Sequence, residues 1–247
     1  MENIQLCSLT VGYRTRSGVK EVAHHLDATV RGGQLVCLIG RNGSGKSTLL
    51  RTLAGLQPPL DGKVKFSSGV TLSSKDVSST GKLSRQVSVV LTEHEETGNL
   101  HVRDVVALGR VPHTGFWGML HEGDKKAVDD AITQTGLQQM QHRLIRSLSD
   151  GERQRVFIAK SLAQQTPVIL LDEPTAFLDY PAKRDLLLLL RRLAHEEGRT
   201  ILLTTHDLEL ALESADVLWA LDGQTFATDP QALARQWLTT RFVKDKQ

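Results

Sequence analysis

The sequence predicts an α/β fold with a mostly parallel sheet, and three observations lead there. The second half of the chain alternates short apolar runs with segments of helical period. Strand 168–171 is followed by a helix with Leu186, Leu189, Leu190 and Leu193 on one face; strand 200–204, a helix from Asp207 and strand 217–221 complete the series. Such alternation implies parallel strands joined by crossover helices that cover both faces of the sheet. Upstream, a glycine-rich segment separates the apolar run 34–39 from a helical pattern carrying Leu49, Leu50, Leu53 and Ala54, a strand–loop–helix unit. Residues 1 to about 35 alternate apolar and polar in short stretches, which reads as antiparallel strands.

In chain order, the first strands are marked by Ile4, Leu6 and Val11 and later by Leu26, Ala28 and Val30, with breaks at Gly12, Gly18 and Gly32-Gly33. After strand 34–39 the helix is expected over 47–56. Residues 62–91 are again strand-like, and the Ser- and Gly-rich stretch 67–81 reads as a loop between strands. From about 93 to 163 the pattern turns helical, over 102–108, 125–134 and 152–163, with Pro112, Gly115 and Gly118 interrupting. That segment is expected to be an inserted helical subdomain. The whole 1–247 is then one compound domain: a β-subdomain with the glycine-rich loop over 1–92, the helical subdomain over 93–163, and the rest of the core with a short tail over 164–247. The tail is expected to carry no appended domain.

With 247 residues, 40% apolar and 23% charged, the chain is long enough to bury a substantial core. Thirty Lys and Arg against 28 Asp and Glu give a formal +2, and the basic residues are scattered. The electrostatic footprint of a nucleic-acid binder is missing, so no nucleic-acid partner is expected. Cys7 and Cys37 are read as reduced structural thiols, not as a disulfide framework or a zinc site. The start Met1-Glu2-Asn3-Ile4 lacks a charged leader, and the apolar run 186–190 is far shorter than the roughly 20 residues a spanning helix needs. A cytoplasmic chain is expected, with any membrane role arising through a partner subunit.

Gly40-Arg41-Asn42-Gly43-Ser44-Gly45-Lys46-Ser47 fits the pattern G-x-x-x-x-G-K-S/T in its required strand-to-helix context. Glycines let backbone N–H groups turn inward around phosphate oxygens, and the helix N-terminus adds partial positive charge. Lys46 is placed to reach the β and γ phosphates and Ser47 to ligate Mg²⁺. Gly40, Asn42, Gly43, Ser44, Gly45, Lys46, Ser47 and Thr48 are the candidate phosphate-binding residues. Val168-Ile169-Leu170-Leu171-Asp172-Glu173-Pro174 ends a buried strand in two acids, which is costly unless something cationic is held there. Asp172 is expected in the Mg²⁺ shell, and Glu173 is expected to polarise an attacking water. Leu148-Ser149-Asp150-Gly151-Glu152 forms a good helix start by itself, with Ser149 as cap and Glu152 as its reciprocal partner.

The order of these motifs resembles ABC-type ATPases. Residues 148–152 resemble the LSGGQ signature, lying between a phosphate loop and an LLDEP strand, and the resemblance runs from Tyr13 to about Leu221. It implies a P-loop NTPase (RecA-like) core, ATP and Mg²⁺ as cofactors, ATP hydrolysis, and a head-to-tail homodimer. In that dimer Ser149, Gly151 and Glu152 of one subunit would complete the site of the other. The resemblance also implies that His206, in Thr204-Thr205-His206-Asp207, is the switch histidine at the γ phosphate, although a lone histidine is more often without chemistry. Ala176-Phe177-Leu178-Asp179 looks like the loop joining the two sites, with Phe177 equally open to being plain core. Tyr13 matches the aromatic that stacks on adenine, or simply packs in its strand.

Two positions depart from the family pattern. Where family members carry a Mg²⁺-ligating glutamine, this chain has Val89-Val90-Leu91-Thr92-Glu93-His94. Glu93 is the best match, as metal ligand and catalytic residue, while a shift of one residue would place Thr92 there. Asp150 replaces a glycine, and its side chain is expected to face away from the phosphate. His101-Val102-Arg103-Asp104-Val105-Val106-Ala107-Leu108-Gly109-Arg110-Val111-Pro112-His113 resembles the T-V-x-x-x-V-x-x-G-R-x-P segment of import ATPases for iron-siderophore complexes, haem and cobalamin. Zinc or manganese importers carry a similar segment, and an amphipathic helix ending at Gly109 is the plainer reading.

The importer resemblance implies integral-membrane permease subunits as partners and a substrate-binding protein indirectly. It places the chain at the cytoplasmic face of the inner (plasma) membrane, held there through the permease. The region 116–118, with Trp117, either lines the groove that receives a permease helix or is core of the helical subdomain. A soluble ABC ATPase of translation or DNA repair is the alternative, disfavoured because neither a second ATPase module nor a long coiled coil is evident.

Overall fold

A computed structural model of the chain describes residues 2–15, 18–74, 80–92, 99–115, 117–222 and 225–228. The chain opens with a long antiparallel hairpin, β1 (Glu2–Thr15) and β2 (Gly18–Arg31). Of the expected breaks, Gly18 opens β2 and Gly32-Gly33 lies between β2 and the next strand, but Gly12 falls within a continuous strand. The strand irregularities are bulges, with register shifts near Ser8 and His25, which adopt left-handed φ values of 43° and 52°. Gly12 therefore ends nothing. It lets the two strands approach, since a Cβ there would lie 2.2 Å from the Lys20 carbonyl oxygen. β3 (Leu35–Ile39) is buried throughout, and α1 (Lys46–Leu53) follows it directly after the glycine-rich loop.

β4 (Asp61–Phe66) and β5 (Thr71–Ser73) extend the first sheet, followed by the single turn α2 (Thr80–Leu83) and β6 (Val87–Val90). The reading of 67–81 as one loop is corrected here, because Lys63 pairs with Ser73 and Lys65 with Thr71. A three-residue strand that buries only Leu72 is too short to print a period on the sequence. The helical region comprises α3 (Val102–Ala107), a 3₁₀ continuation over Leu108–His113, α4 (Glu122–Gln134) and α5 (Asp150–Ala163). β7 (Val168–Leu171), α6 (Tyr180–Glu197), β8 (Thr200–Thr205), α7 (Leu208–Ser214) and β9 (Val217–Asp222) complete the alternation, and β10 (Thr225–Ala227) turns back on β9 as an unforeseen hairpin.

Two sheets result: an antiparallel sheet in the order β2-β1-β4-β5 and a six-stranded sheet in the order β10-β9-β3-β8-β7-β6. The second is parallel except for β10. Its central strands read as unbroken apolar runs because each side of the sheet is covered. Leu35, Cys37 and Ile39 join the core shared with α3, α5 and α6, while Val36 and Leu38 join the core shared with α1 and the β1–β2 hairpin.

Within the helical region, Gly109 and Arg110 bind the 3₁₀ segment to its neighbours. A Cβ on Gly109 would lie 2.1 Å from the Lys160 carbonyl oxygen of α5. Buried Arg110 donates from Nε to Asp124 Oδ1 at 2.8 Å, and from Nη1 to the Ala163 carbonyl at 2.7 Å and Gln165 Oε1 at 2.9 Å. The His121 backbone N–H, followed by the Arg110 guanidinium, holds the Asp124 carboxyl below its ordinary value. Gly109→Ala is expected to destabilise the fold by about 1–3 kcal/mol through overpacking, measured by denaturant unfolding. A variant as stable as the parent would show that this close approach relaxes without strain.

Candidate functional site

β3 lies between β9 and β8 at the centre of the parallel sheet, so its carboxyl end delivers the loop Gly40–Gly45 to the sheet's crevice edge. Glycine is required at both ends of that loop. At Gly40 a Cβ would lie 2.3 Å from the Leu221 carbonyl oxygen; at Gly45, with φ 106°, it would lie 2.3 Å from Val22 Cγ1. Because Gly45 is the N-cap of α1, no side chain satisfies the first-turn amides, and the helix presents open N–H donors and its positive end. Ser44 Oγ is likewise buried without a hydrogen-bond partner. Both features fit an anion held in the loop.

Lys46 is buried and folds back along the loop, donating from Nζ to the carbonyls of Gly40 at 2.8 Å and Arg41 at 3.2 Å. Its ammonium also lies 3.7 Å from Glu173 Oε1. Burial lowers the Lys46 pKa, and the negative charges of Glu173 and Asp172 oppose that shift. A cleft of about 670 Å³ opens over the loop. It is lined by Asn42, Gly43, Gly45, Lys46, Ser47 and Thr48 of the loop and first turn, by Glu173, and by Tyr13, Lys20, Glu21 and Val22 of the hairpin. The Tyr13 hydroxyl is hydrogen-bonded to Thr48 Oγ1, while the residue stays 41% exposed. Lys20, Glu21 and Val22 were not anticipated; they reach the cleft because the hairpin pairs Tyr13 with Lys20 and Gly12 with Glu21.

The two acids arrive from β7, two strands away from β3, with β8 between. Asp172 Oδ1 accepts from Ser47 Oγ at 3.0 Å and from Thr204 Oγ1 at 2.7 Å. Glu173 turns out of the strand with φ 46°, and its carboxylate lies between Lys46 and His206, with Oε2 3.5 Å from His206 Nδ1. Thr92 donates its hydroxyl proton to the Asp172 carbonyl oxygen at 2.9 Å. Glu93 lies outside the described residues.

At the start of α5 the reciprocal cap is present. Ser149 N–H and Oγ donate to Glu152 Oε2 at 2.8 and 2.9 Å, and Ser149 Oγ accepts from Glu152 N at 3.4 Å. These bonds lower the Glu152 pKa. Asp150 Oδ1 is 3.5 Å from Arg153 Nη1, along its own helix. Ser149, Gly151 and Glu152 do not line the cleft of their own chain.

Three other sequence readings are resolved by burial. Phe177 is 86% exposed, with φ 65°, and Trp117 is 83% exposed, so neither is core; Phe116 lies outside the described residues. Both cysteines are free, and burial pushes the Cys37 thiol up to about 12.

A glycine loop at a helix N-terminus, a lysine folded across it, and a strand-end acid bonded to the loop's serine define a nucleoside-triphosphatase of the phosphate-loop class. The chain belongs to the ABC transporter family, whose sequence profile matches residues 23–176, and it is an ATP-binding, ATP-hydrolysing member. It is 38% identical over 219 residues to the achromobactin transport ATP-binding protein CbrD of Dickeya dadantii, covering 88% of this chain and 78% of that one. The iron(3+)-hydroxamate import ATP-binding protein FhuC of Bacillus subtilis is 34% identical over 235 residues, 94% of this chain and 84% of its own. The thiamine import ATP-binding protein ThiQ of Brucella suis is 39% identical over 212 residues, 86% of this chain and 84% of its own.

Among solved structures, an ABC transporter classed as metal-chelate type, in an inward-facing conformation, superposes with TM-score 0.79 at 26% identity, covering 93% of this chain and 83% of that one. The dimeric cassette MJ0796, a bacterial ABC transporter cassette, superposes with TM-score 0.74 at 25% identity, covering 91% and 98%. Among the described residues, no helix is long and apolar enough to cross a membrane.

Proposed function

We propose that this chain is the ATP-hydrolysing subunit of a membrane importer for an iron-siderophore complex, haem or cobalamin, working as a head-to-tail homodimer. The dimer reading is supported by the signature residues Ser149, Gly151 and Glu152, which do not line their own chain's cleft, as expected of residues that complete a partner's site. The likeness to achromobactin and hydroxamate transport proteins supports the cargo class, and the dimeric form of the MJ0796 cassette supports the assembly. The division into 1–92, 93–163 and 164–247 belongs to the same reading, with the helical part carrying the signature to the partner.

In this mechanism, Gly40, Asn42, Gly43, Ser44 and Gly45 bind the phosphates through backbone and hydroxyl groups, and Lys46 leaves the loop carbonyls for the β and γ oxygens. Thr48 contacts the phosphates from the first turn, and Tyr13 stacks on adenine. The converging Ser47 hydroxyl and Asp172 carboxylate are hard oxygen donors that fit Mg²⁺, with Glu93 as a further ligand. When bound, Mg²⁺ would supply neutralisation of the charge that develops on the phosphates. Glu173 accepts the proton of the attacking water, the bond from the γ phosphorus to its bridging oxygen breaks, and ADP and phosphate leave. His206 orients the γ phosphate beside Glu173. Ser149, Gly151 and Glu152 of the second subunit close over it, and closure moves the permease from the cytoplasmic face of the inner membrane.

Affinity purification of the tagged chain from gently solubilised membranes is expected to recover a polytopic permease. ATP turnover of that complex should rise with a binding protein loaded with a siderophore, haem or cobalamin. Stimulation only by zinc, manganese or thiamine would change the cargo. Recovery from the soluble fraction alone would overturn the transport reading.

A further inference from the structure

Every backbone polar group around the link from Asp172 to Glu173 is held. Thr92 Oγ1 donates to the Asp172 carbonyl oxygen at 2.9 Å, and the Glu173 N–H donates to Thr204 Oγ1 at 2.8 Å. One peptide unit is thus gripped at both its oxygen and its nitrogen by threonine hydroxyls from two different strands' ends. Thr204 spends its own proton on Asp172 Oδ1 at 2.7 Å, so the same hydroxyl sets the acid side chain. On the far side, Ala176 N–H donates to the Glu173 carbonyl at 3.0 Å and closes the turn.

This grip matters because Glu173 has φ 46°, a left-handed conformation that crowds a residue carrying a Cβ. Strained backbone of this kind persists only where its surroundings over-determine it. The left-handed turn takes the carboxylate out of the line of β7 and into the space between Lys46 and His206. Without the grip, relaxation of φ to the negative side would carry the carboxylate away from both. Threonine suits the role because its branched Cβ restricts χ1, so each hydroxyl points where its backbone places it.

We propose that Thr92 and Thr204 are positioning residues for ATP hydrolysis, clamping the Asp172–Glu173 peptide so that Glu173 stays in its strained, water-facing geometry. The proposal rests on the reading of Glu173 as the proton acceptor. Thr92 is the cleaner probe, being half-buried, whereas Thr204 lies in the fully buried β8.

The experiment uses the full chain as Thr92→Val and Thr92→Ser, each in the parent and in a Glu173→Gln background, with ATP affinity, single-turnover hydrolysis and thermal unfolding measured on all. Thr92→Val is expected to lower kcat by about 3- to 10-fold, the size of one lost hydrogen bond, with ATP affinity unchanged. Thr92→Ser should restore most of the rate, and in the Glu173→Gln background Thr92→Val should cost nothing further.

Full turnover in Thr92→Val, or an equal loss in both backgrounds, overturns the clamp while leaving Glu173 in its role. A fall in thermal stability and ATP affinity together, not rescued by serine, also overturns it in favour of a purely structural threonine. Near-normal hydrolysis by Glu173→Gln alone removes the role of Glu173, and the clamp's purpose with it.

Discussion

Glu173→Gln is expected to slow ATP hydrolysis by about 10²- to 10⁴-fold, the usual cost of removing a positioned proton acceptor. The substitution keeps the shape of the side chain and removes its charge and basicity. In the structure the carboxylate is drawn to two cationic or cationisable groups, Lys46 Nζ at 3.7 Å and His206 Nδ1 at 3.5 Å. In the proposed mechanism γ phosphate takes Lys46, and the acid is left to accept the proton of the attacking water. An amide there would still accept a hydrogen bond but could not take the proton. Binding does not need that proton transfer, so ATP should remain bound and the closed dimer should accumulate. Size-exclusion chromatography with ATP should therefore show more dimer for this variant than for the parent protein. Turnover near the parent rate would remove Glu173 from this role.

Lys46→Ala should weaken ATP binding by roughly 10- to 100-fold, corresponding to the loss of charged hydrogen bonds to phosphate oxygens. The lysine has a second task, because its ammonium bridges the carbonyls of Gly40 and Arg41. Truncation therefore removes the phosphate partner and loosens the loop together. Lys46→Met separates the two, keeping the buried stem while losing the charge. If the ammonium acts on the β and γ oxygens, calorimetric titration should show ATP losing more affinity than ADP in both variants. Unchanged ATP binding would contradict the assignment of this loop.

The parts of the site that were legible in the sequence are those governed by local backbone chemistry. Gly43 and Gly45 are glycines because their φ values, 80° and 106°, lie where other residues rarely go. Ser149 and Glu152 satisfy each other across one helical turn, so four consecutive letters suffice to see them. The resemblance of Gly109 and Arg110 to an importer segment was equally visible, but its physical content was not. Only the packed helices show that a Cβ at Gly109 would strike α5 and that Arg110 ties the 3₁₀ turn to Asp124 and the end of α5.

What stayed hidden depends on which strands become neighbours. Thr204 reads as one more residue of an apolar strand until β8 is inserted between β3 and β7, where its hydroxyl meets both Asp172 and Glu173. Lys20, Glu21 and Val22 carry no motif and reach the cleft only through the register of the long hairpin. Phe177 has the apolar side chain of a core residue, yet it stands exposed in a turn with φ 65°.

By itself, then, the sequence determined the α/β alternation, the phosphate loop and the identity of the two acids, because periodicity, φ requirements and caps act over a few residues. The tertiary structure alone decided how Glu173 is aimed, which residues wall the nucleotide cleft, and that the signature residues do not line their own chain's cleft. Those depend on strand order and register, which bring together groups more than a hundred residues apart, as in the 3.0 Å bond between Ser47 and Asp172.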